Sequence, residues 1–176
     1  MRIKYFATIK LGLLLTAVFF TLTSMVPGRA NFSGRWKLNE FKSDRGHSTC
    51  TWGLGDHMRS TTMKVVAQTN FLTIYVVDLS AGVSQITTQE KLTFDGKERE
   101  DTICGRPKKS TVMWSPDRQT MTVNCILTCG ADSQKVEYKV TEVWKLINDG
   151  KSISLQANIK STYGEDVMNL VFDKAS

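Results

Sequence analysis

The sequence predicts an all-β fold, with about ten antiparallel strands in an up-and-down meander that closes, or nearly closes, into a barrel. Three observations predict it. From about residue 61 onward, apolar and polar residues alternate at period two in one short segment after another. Turn signals separate these segments, so hairpins join consecutive strands. No stretch sustains the spacing of an amphipathic helix. A meander with two free edges invites edge-to-edge pairing, and closure removes that liability. A two-sheet β-sandwich is the alternative architecture.

The first element is not part of the barrel. Residues 1–30 read as a cleaved signal peptide: a basic start (Arg2, Lys4, Lys10), an apolar run from Leu11 to Leu22, and small residues at Gly28 and Ala30. The run is too short for the roughly 20 residues of a membrane helix and fits the roughly 7–15 of a signal core. The cut is placed after Ala30, which leaves residues 31–176 as one domain, exported to a bacterial periplasm or secreted, with no membrane span. It also removes four basic residues and no acidic ones, lowering the net charge from +6 to +2. The basic balance of the whole chain is therefore no argument for a nucleic-acid partner. Two local basic spots, Lys37 to Lys42 and Arg106-Pro107-Lys108-Lys109, read as solvated loops.

Strands are expected near 32–38, 61–67, 71–78, 83–94, 97–104, 109–115, 119–127, 135–147, 151–161 and 166–173. Met121, Val123, Cys125 and Leu127 share one face of their segment, opposite Thr120, Thr122 and Asn124. Val136, Tyr138, Val140, Trp144 and Leu146 do the same, as do Ile153, Leu155, Ala157 and Ile159, and finally Met168, Leu170 and Phe172. This is the pattern of strands with one dry face. Asp95-Gly96 predicts a two-residue hairpin turn, because both central positions favour positive φ. Ser115-Pro116-Asp117-Arg118 predicts a type I turn, and Asn148-Asp149-Gly150 and Tyr163-Gly164-Glu165 predict two more. Helix is expected only in the long connection at residues 40–60, and little there, given Gly46, Gly53 and Gly55.

Two carboxylates interrupt the dry faces. Glu90 lies in line with Ile86, Thr88, Leu92 and Phe94, and Glu142 with Tyr138, Val140, Trp144 and Leu146. A buried charge is costly without a partner. The simpler expectation is a β-bulge that turns each glutamate outward. If instead they face inward, they require water, a basic partner or a polar ligand group. Thr88, Glu90, Tyr138 and Glu142 would then line a cavity with Met121 and Met168, and Trp52 of the long connection would cover that cavity, contact a partner or plug the end of the barrel.

Four cysteines, Cys50, Cys104, Cys125 and Cys129, sit in a chain read as exported, and the even count favours two disulfides of undetermined pairing. Tracing the meander brings all four to one end of the barrel. All four could share that rim with His47 and His57, but Cys125-x-x-x-Cys129 is not a zinc-site spacing, so no metal is expected. No nucleophile, base and orienting group form a set, so no catalytic residue, cofactor or enzyme activity is expected.

Phe32-Ser33-Gly34-Arg35-Trp36-Lys37-Leu38 resembles the G-x-W start of the calycin group, the lipocalins and fatty-acid-binding proteins. With Phe94-Asp95-Gly96-Lys97-Glu98 and Val171-Phe172-Asp173-Lys174, most of residues 31–174 is similar to small exported lipocalin-like proteins of bacteria. The resemblance implies a calycin-type barrel in which the Trp closes one end. The chain departs from fatty-acid-binding proteins in having no Arg-x-Tyr pair near its C-terminus and no evident helical lid. The function expected is a non-enzymatic binding protein holding a small apolar, lipid-like or amphipathic ligand inside the barrel. The alternative is an interaction module with a filled interior, whose protein partner meets the 40–60 loop.

Overall fold

The structure, a computed structural model, describes residues 28–47, 56–78, 85–103, 106–129 and 135–175. Its strands are β1 (Gly34–Leu38), β2 (Thr62–Ala67), β3 (Phe71–Asp78), β4 (Gln85–Thr93), β5 (Arg99–Ile103), β6 (Arg106–Trp114), β7 (Thr120–Cys129), β8 (Val136–Ile147), β9 (Ser152–Ser161) and β10 (Gly164–Lys174). They form one antiparallel sheet in the order β4-β3-β2-β1-β10-β9-β8-β7-β6-β5. The first and last strands pair, with Trp36 opposite Lys174 and Leu38 opposite Phe172. The only helical pieces among the described residues are two three-residue 3-10 turns, Glu40–Lys42 and Asp56–Met58, both in the long connection after β1.

The meander is the one the alternation predicts, and the sheet curls on itself without closing. β4 and β5 are consecutive in the chain yet stand at opposite edges of the sheet. Asp95-Gly96 does turn: Gly96 has φ +68, and the Asp95 carboxylate accepts the Lys97 N–H at 3.1 Å. It does not make the predicted hairpin, because the strands on either side splay apart instead of pairing. Side chains bridge the gap instead. Lys108 of β6 forms an ion pair with Glu90 of β4, and the Phe94 ring meets the Trp114 ring edge-on at 5.3 Å. The Ser115-Pro116 turn behaves as predicted, with the Arg118 N–H donated to the Ser115 carbonyl at 2.8 Å and Arg118 at φ 59.

Antiparallel strands of a meander place alternate connections at alternate ends. The lower end carries the turns around residues 68–70, 115–119 and 148–151, and the N-terminal segment crosses it. There Ala30 donates its N–H to the Arg118 carbonyl at 3.0 Å, and Arg29 donates to the Thr69 carbonyl at 2.7 Å. Phe32 is buried with its ring 5.9 Å from both Trp114 and Trp144. Trp36 is buried beside it and donates its indole N–H to the Phe32 carbonyl at 2.9 Å. Gly34 has φ +151, where a side chain is rarely accommodated, which accounts for the glycine of the G-x-W start.

Candidate functional site

The site forms in the barrel interior, where three strands and the long connection converge. The connection first follows β10: Asp44 pairs with Asn169 as an isolated antiparallel bridge, and the His47 N–H is donated to the Asp166 carboxylate at 2.9 Å. Gly46 at φ +63 lies so close to Asp166 and Val167 that a Cβ there would come within 2.8 Å of both. Further on, the Asp56–Met58 turn packs against β3 and buries His57 and Met58 inside the barrel.

His57 reaches both glutamates. Its Nδ1 lies 3.2 Å from Glu90 Oε2, and its Nε2 lies 3.2 Å from Glu142 Oε2. Trp144, two residues along β8 and on the same face as Glu142, donates its indole N–H to Glu142 Oε2 at 3.0 Å. Lys108 takes the other oxygen of Glu90. The result is a buried chain, Lys108–Glu90–His57–Glu142–Trp144, with two basic side chains and two carboxyl groups. Glu142 is fully buried, and its Oε1 has no hydrogen-bond partner among the described residues.

The charges stabilise one another against burial. Burial alone would lower the His57 pKa, but Glu142 and then Glu90 outweigh it and raise it from 6.5 to about 9. Burial would raise the Glu90 carboxyl, but Lys108 and His57 hold it well below the usual carboxylate range. Lys108 is likewise desolvated, and Glu90 holds its ammonium above the ordinary lysine range. Burial pushes the neighbouring Cys125 thiol up to about 12, with Lys108 opposing the rise.

Both glutamates therefore face inward, and the expectation of bulges that turn them out is corrected. A register shift does occur where β3 meets β4, at Val76/Val77, but it lies before Glu90, and Ile74 and Leu72 stay in regular register with Glu90 and Leu92. The inward glutamates are tolerated because each has a basic partner. Of the other residues expected at the site, Thr88 is half-buried one inward position from Glu90 on β4, and Met121 and Met168 are buried core residues. Tyr138 lines a cavity nearer the rim. Trp52 lies outside the described residues, as do Cys50 and Cys104.

Cys125 carries a free thiol, so the expectation that all four cysteines pair in two disulfides is not met there. Cys125 and Cys129 are buried along one face of β7. Four residues of strand separate their Cα atoms by about 13 Å, beyond the roughly 7 Å that a disulfide spans.

Two members of the chain were not anticipated. The sequence places Lys108 in a solvated basic loop. It lies on β6, where Lys108, Ser110, Val112 and Trp114 alternate inward, a pattern visible in the sequence once the strand is begun at Arg106. The sequence places His57 near the rim and gives no sign that it lies between the glutamates. Two inward carboxylates on facing strands were the signal that a cation must lie between them.

Above this chain, at the upper end, is a cavity of about 510 Å³ lined by His47, Tyr138, Ile159, Ser161, Tyr163, Gly164, Glu165 and Asp166. Tyr138 and Glu142 are on the same inward face of β8, two inward positions apart. A smaller cavity of about 260 Å³ lies at the lower end beside Phe94 and Trp114, under Arg29. Among the described residues, no group of three His, Cys, Asp or Glu is placed to hold a metal ion, and no helix is long and apolar enough to cross a membrane.

These features define a calycin-like barrel of the lipocalin and fatty-acid-binding type. No family model and no curated protein matches the chain. Among solved structures it is similar to the zebrafish ileal bile acid-binding protein, in a crystal structure with cholic acid, at 15% identity and a TM-score of 0.50, covering 82% of this chain and 98% of that one. At that identity the likeness speaks for the fold alone.

Proposed function

We propose that the protein is an exported, non-enzymatic binding protein for a small amphipathic molecule, taken up at the upper end of the barrel. The cavity of about 510 Å³ at that end carries the reading. Its volume lies within the roughly 300–1,000 Å³ of small-molecule sites. Tyr138 and Ile159 offer it apolar surface, and His47, Ser161 and Asp166 offer polar groups. The fold neighbour's cholic acid is in keeping with a ligand of this size class. The reading differs from a purely apolar ligand deep in the barrel, because the lower interior is filled by Phe32, Trp36, Trp144 and Phe172, all fully buried. A non-enzymatic role is supported by the state of the reactive groups: His57 is held between two carboxylates, and the Cys125 thiol is buried and hard to ionise. Export rests on the basic, then apolar, pattern of residues 1–30.

The same filled interior favours a second reading, a protein-interaction module. Phe41, fully exposed on the Glu40–Lys42 turn, would then be a contact residue. Native mass spectrometry of protein purified from its own host decides between them. A small molecule that is retained in the native spectrum and lost on denaturation is expected. A bare protein mass, with no uptake from a lipid extract, would favour the interaction module.

A further inference from the structure

We infer that the ligand carries a protonated amine, and that the Glu90–Glu142 pair inside the barrel is a cation site which His57 occupies from within the chain. The inference rests on the small-ligand reading above and names the chemical class of the ligand.

The two carboxylates come from β4, held by its ladder to β3, and from β8, held by ladders on both sides. Their positions are therefore set by the sheet. His57 is carried differently, on a three-residue turn within a connection, and is the one member of the buried chain that no strand holds. It also satisfies the site incompletely. Its Nδ1 faces Glu90 Oε2 at 3.2 Å without an aligned hydrogen bond, and Glu142 Oε1 is buried with no donor among the described residues. An imidazolium has two donors fixed in one plane, whereas an ammonium has three that rotate. An amine would reach the oxygen that His57 leaves unmet, and the Trp144 ring, now 5.5 Å from the imidazole, would flank it. The exchange replaces one cation by another, so the charge facing Lys108, Glu90 and Glu142 is conserved. Glu165 and Asp166 line the upper cavity.

The exchange has a proton signature. Inside the barrel the imidazole holds its proton up to about pH 9, with Glu90 of β4 and Glu142 of β8 against it and Lys108 of β6 and Cys125 of β7 interacting with those carboxylates. Once displaced toward water it returns to an ordinary pKa near 6.5. At pH 8, amine binding should therefore release close to one proton.

The test is calorimetric titration of the full chain at pH 8 with decylamine, decanol and decanoate, repeated in two buffers of different protonation heat. Decylamine is expected to bind at least tenfold tighter than the other two, with release of about one proton. Glu142→Gln is expected to weaken the amine at least tenfold and leave decanol unchanged. Should Glu142→Gln fail to fold, His57→Ala serves in its place: it leaves the carboxylates unoccupied, and added imidazolium should raise its melting temperature. If decanol or decanoate binds as well as the amine, the cation site is overturned while the small-ligand reading stands. The same holds if the amine binds without proton release, or if imidazolium leaves His57→Ala unchanged. If none of the three binds and a lipid extract yields no ligand, both readings fall.

Discussion

At the scale of single residues, the buried chain from Lys108 to Trp144 should dominate the pH behaviour of the fold. His57 has a folded pKa raised from 6.5 to about 9. A raised pKa means that the folded state holds the proton more tightly than the unfolded state does. The stabilisation is fully present below about pH 6.5 and is lost as pH rises through 9. A shift of this size corresponds to roughly 3 kcal/mol. Urea melts at pH 6 and pH 9.5 should differ by about that amount, and His57→Gln should flatten the difference. Equal stability of the wild type at the two pH values would show that His57 is not held as an imidazolium between the glutamates. Lys108 makes a second case. Its ammonium is buried against Glu90. Removing one partner of a buried ion pair leaves a charge without compensation, so Lys108→Met should cost about 3–5 kcal/mol. Adding Glu90→Gln should recover part of that loss, and a double-mutant cycle by chemical denaturation measures the coupling.

At the scale of elements, the N-terminal segment and the long connection do what the strands cannot. The segment at residues 28–33 crosses the lower end and closes it. Arg29 lies 5.0 Å from the Phe94 ring centre and 5.6 Å from that of Trp114, over the gap between β4 and β6. A chain beginning at Asn31, as cleavage after Ala30 would leave it, lacks these contacts and the Ala30 hydrogen bond. Relative to a chain beginning at Gly28, it should be less stable by about 1–2 kcal/mol. Paired thermal melts of the two proteins check this, and identical melting temperatures would mean that the segment contributes no stability. The long connection is legible only in part. Gly53 and Gly55 lie outside the described residues, and Gly46 is needed where the chain presses on Asp166 and Val167. That the connection dips into the barrel at His57 is decided by the carboxylates waiting there, which local sequence does not encode.

At the scale of the whole molecule, the sheet is a curled ribbon whose two edges face each other across side chains. The amides of β4 and β5 that point into the gap have no ladder partner among the described strands. Hydrogen exchange should therefore open first along these two strands and last in β7 to β10, whose ladders are the longest and most continuous. Protection of β4 and β5 equal to that of β8 would indicate a closed barrel. The same gap explains why Asp95-Gly96 misled. A two-residue turn favours a hairpin only when the flanking strands find each other, and here the Glu90–Lys108 pair and the Phe94–Trp114 contact hold β4 and β6 at side-chain distance instead.

What the sequence determined by itself was the class of fold, the number of strands and most of the dry face, because period two is a local property and each strand carries its own copy of it. It also marked Glu90 and Glu142 as exceptions. Only the tertiary structure decided what the exceptions meant. Whether an inward carboxylate is tolerated depends on which cation stands opposite, and Lys108 and His57 come from elements far apart in the chain that meet only when the sheet curls. The unpaired edge and the free thiol of Cys125 belong to the same category. Pairing, whether of strands, charges or sulfurs, is settled by distance in space, and distance is what a curled sheet supplies and a linear pattern does not.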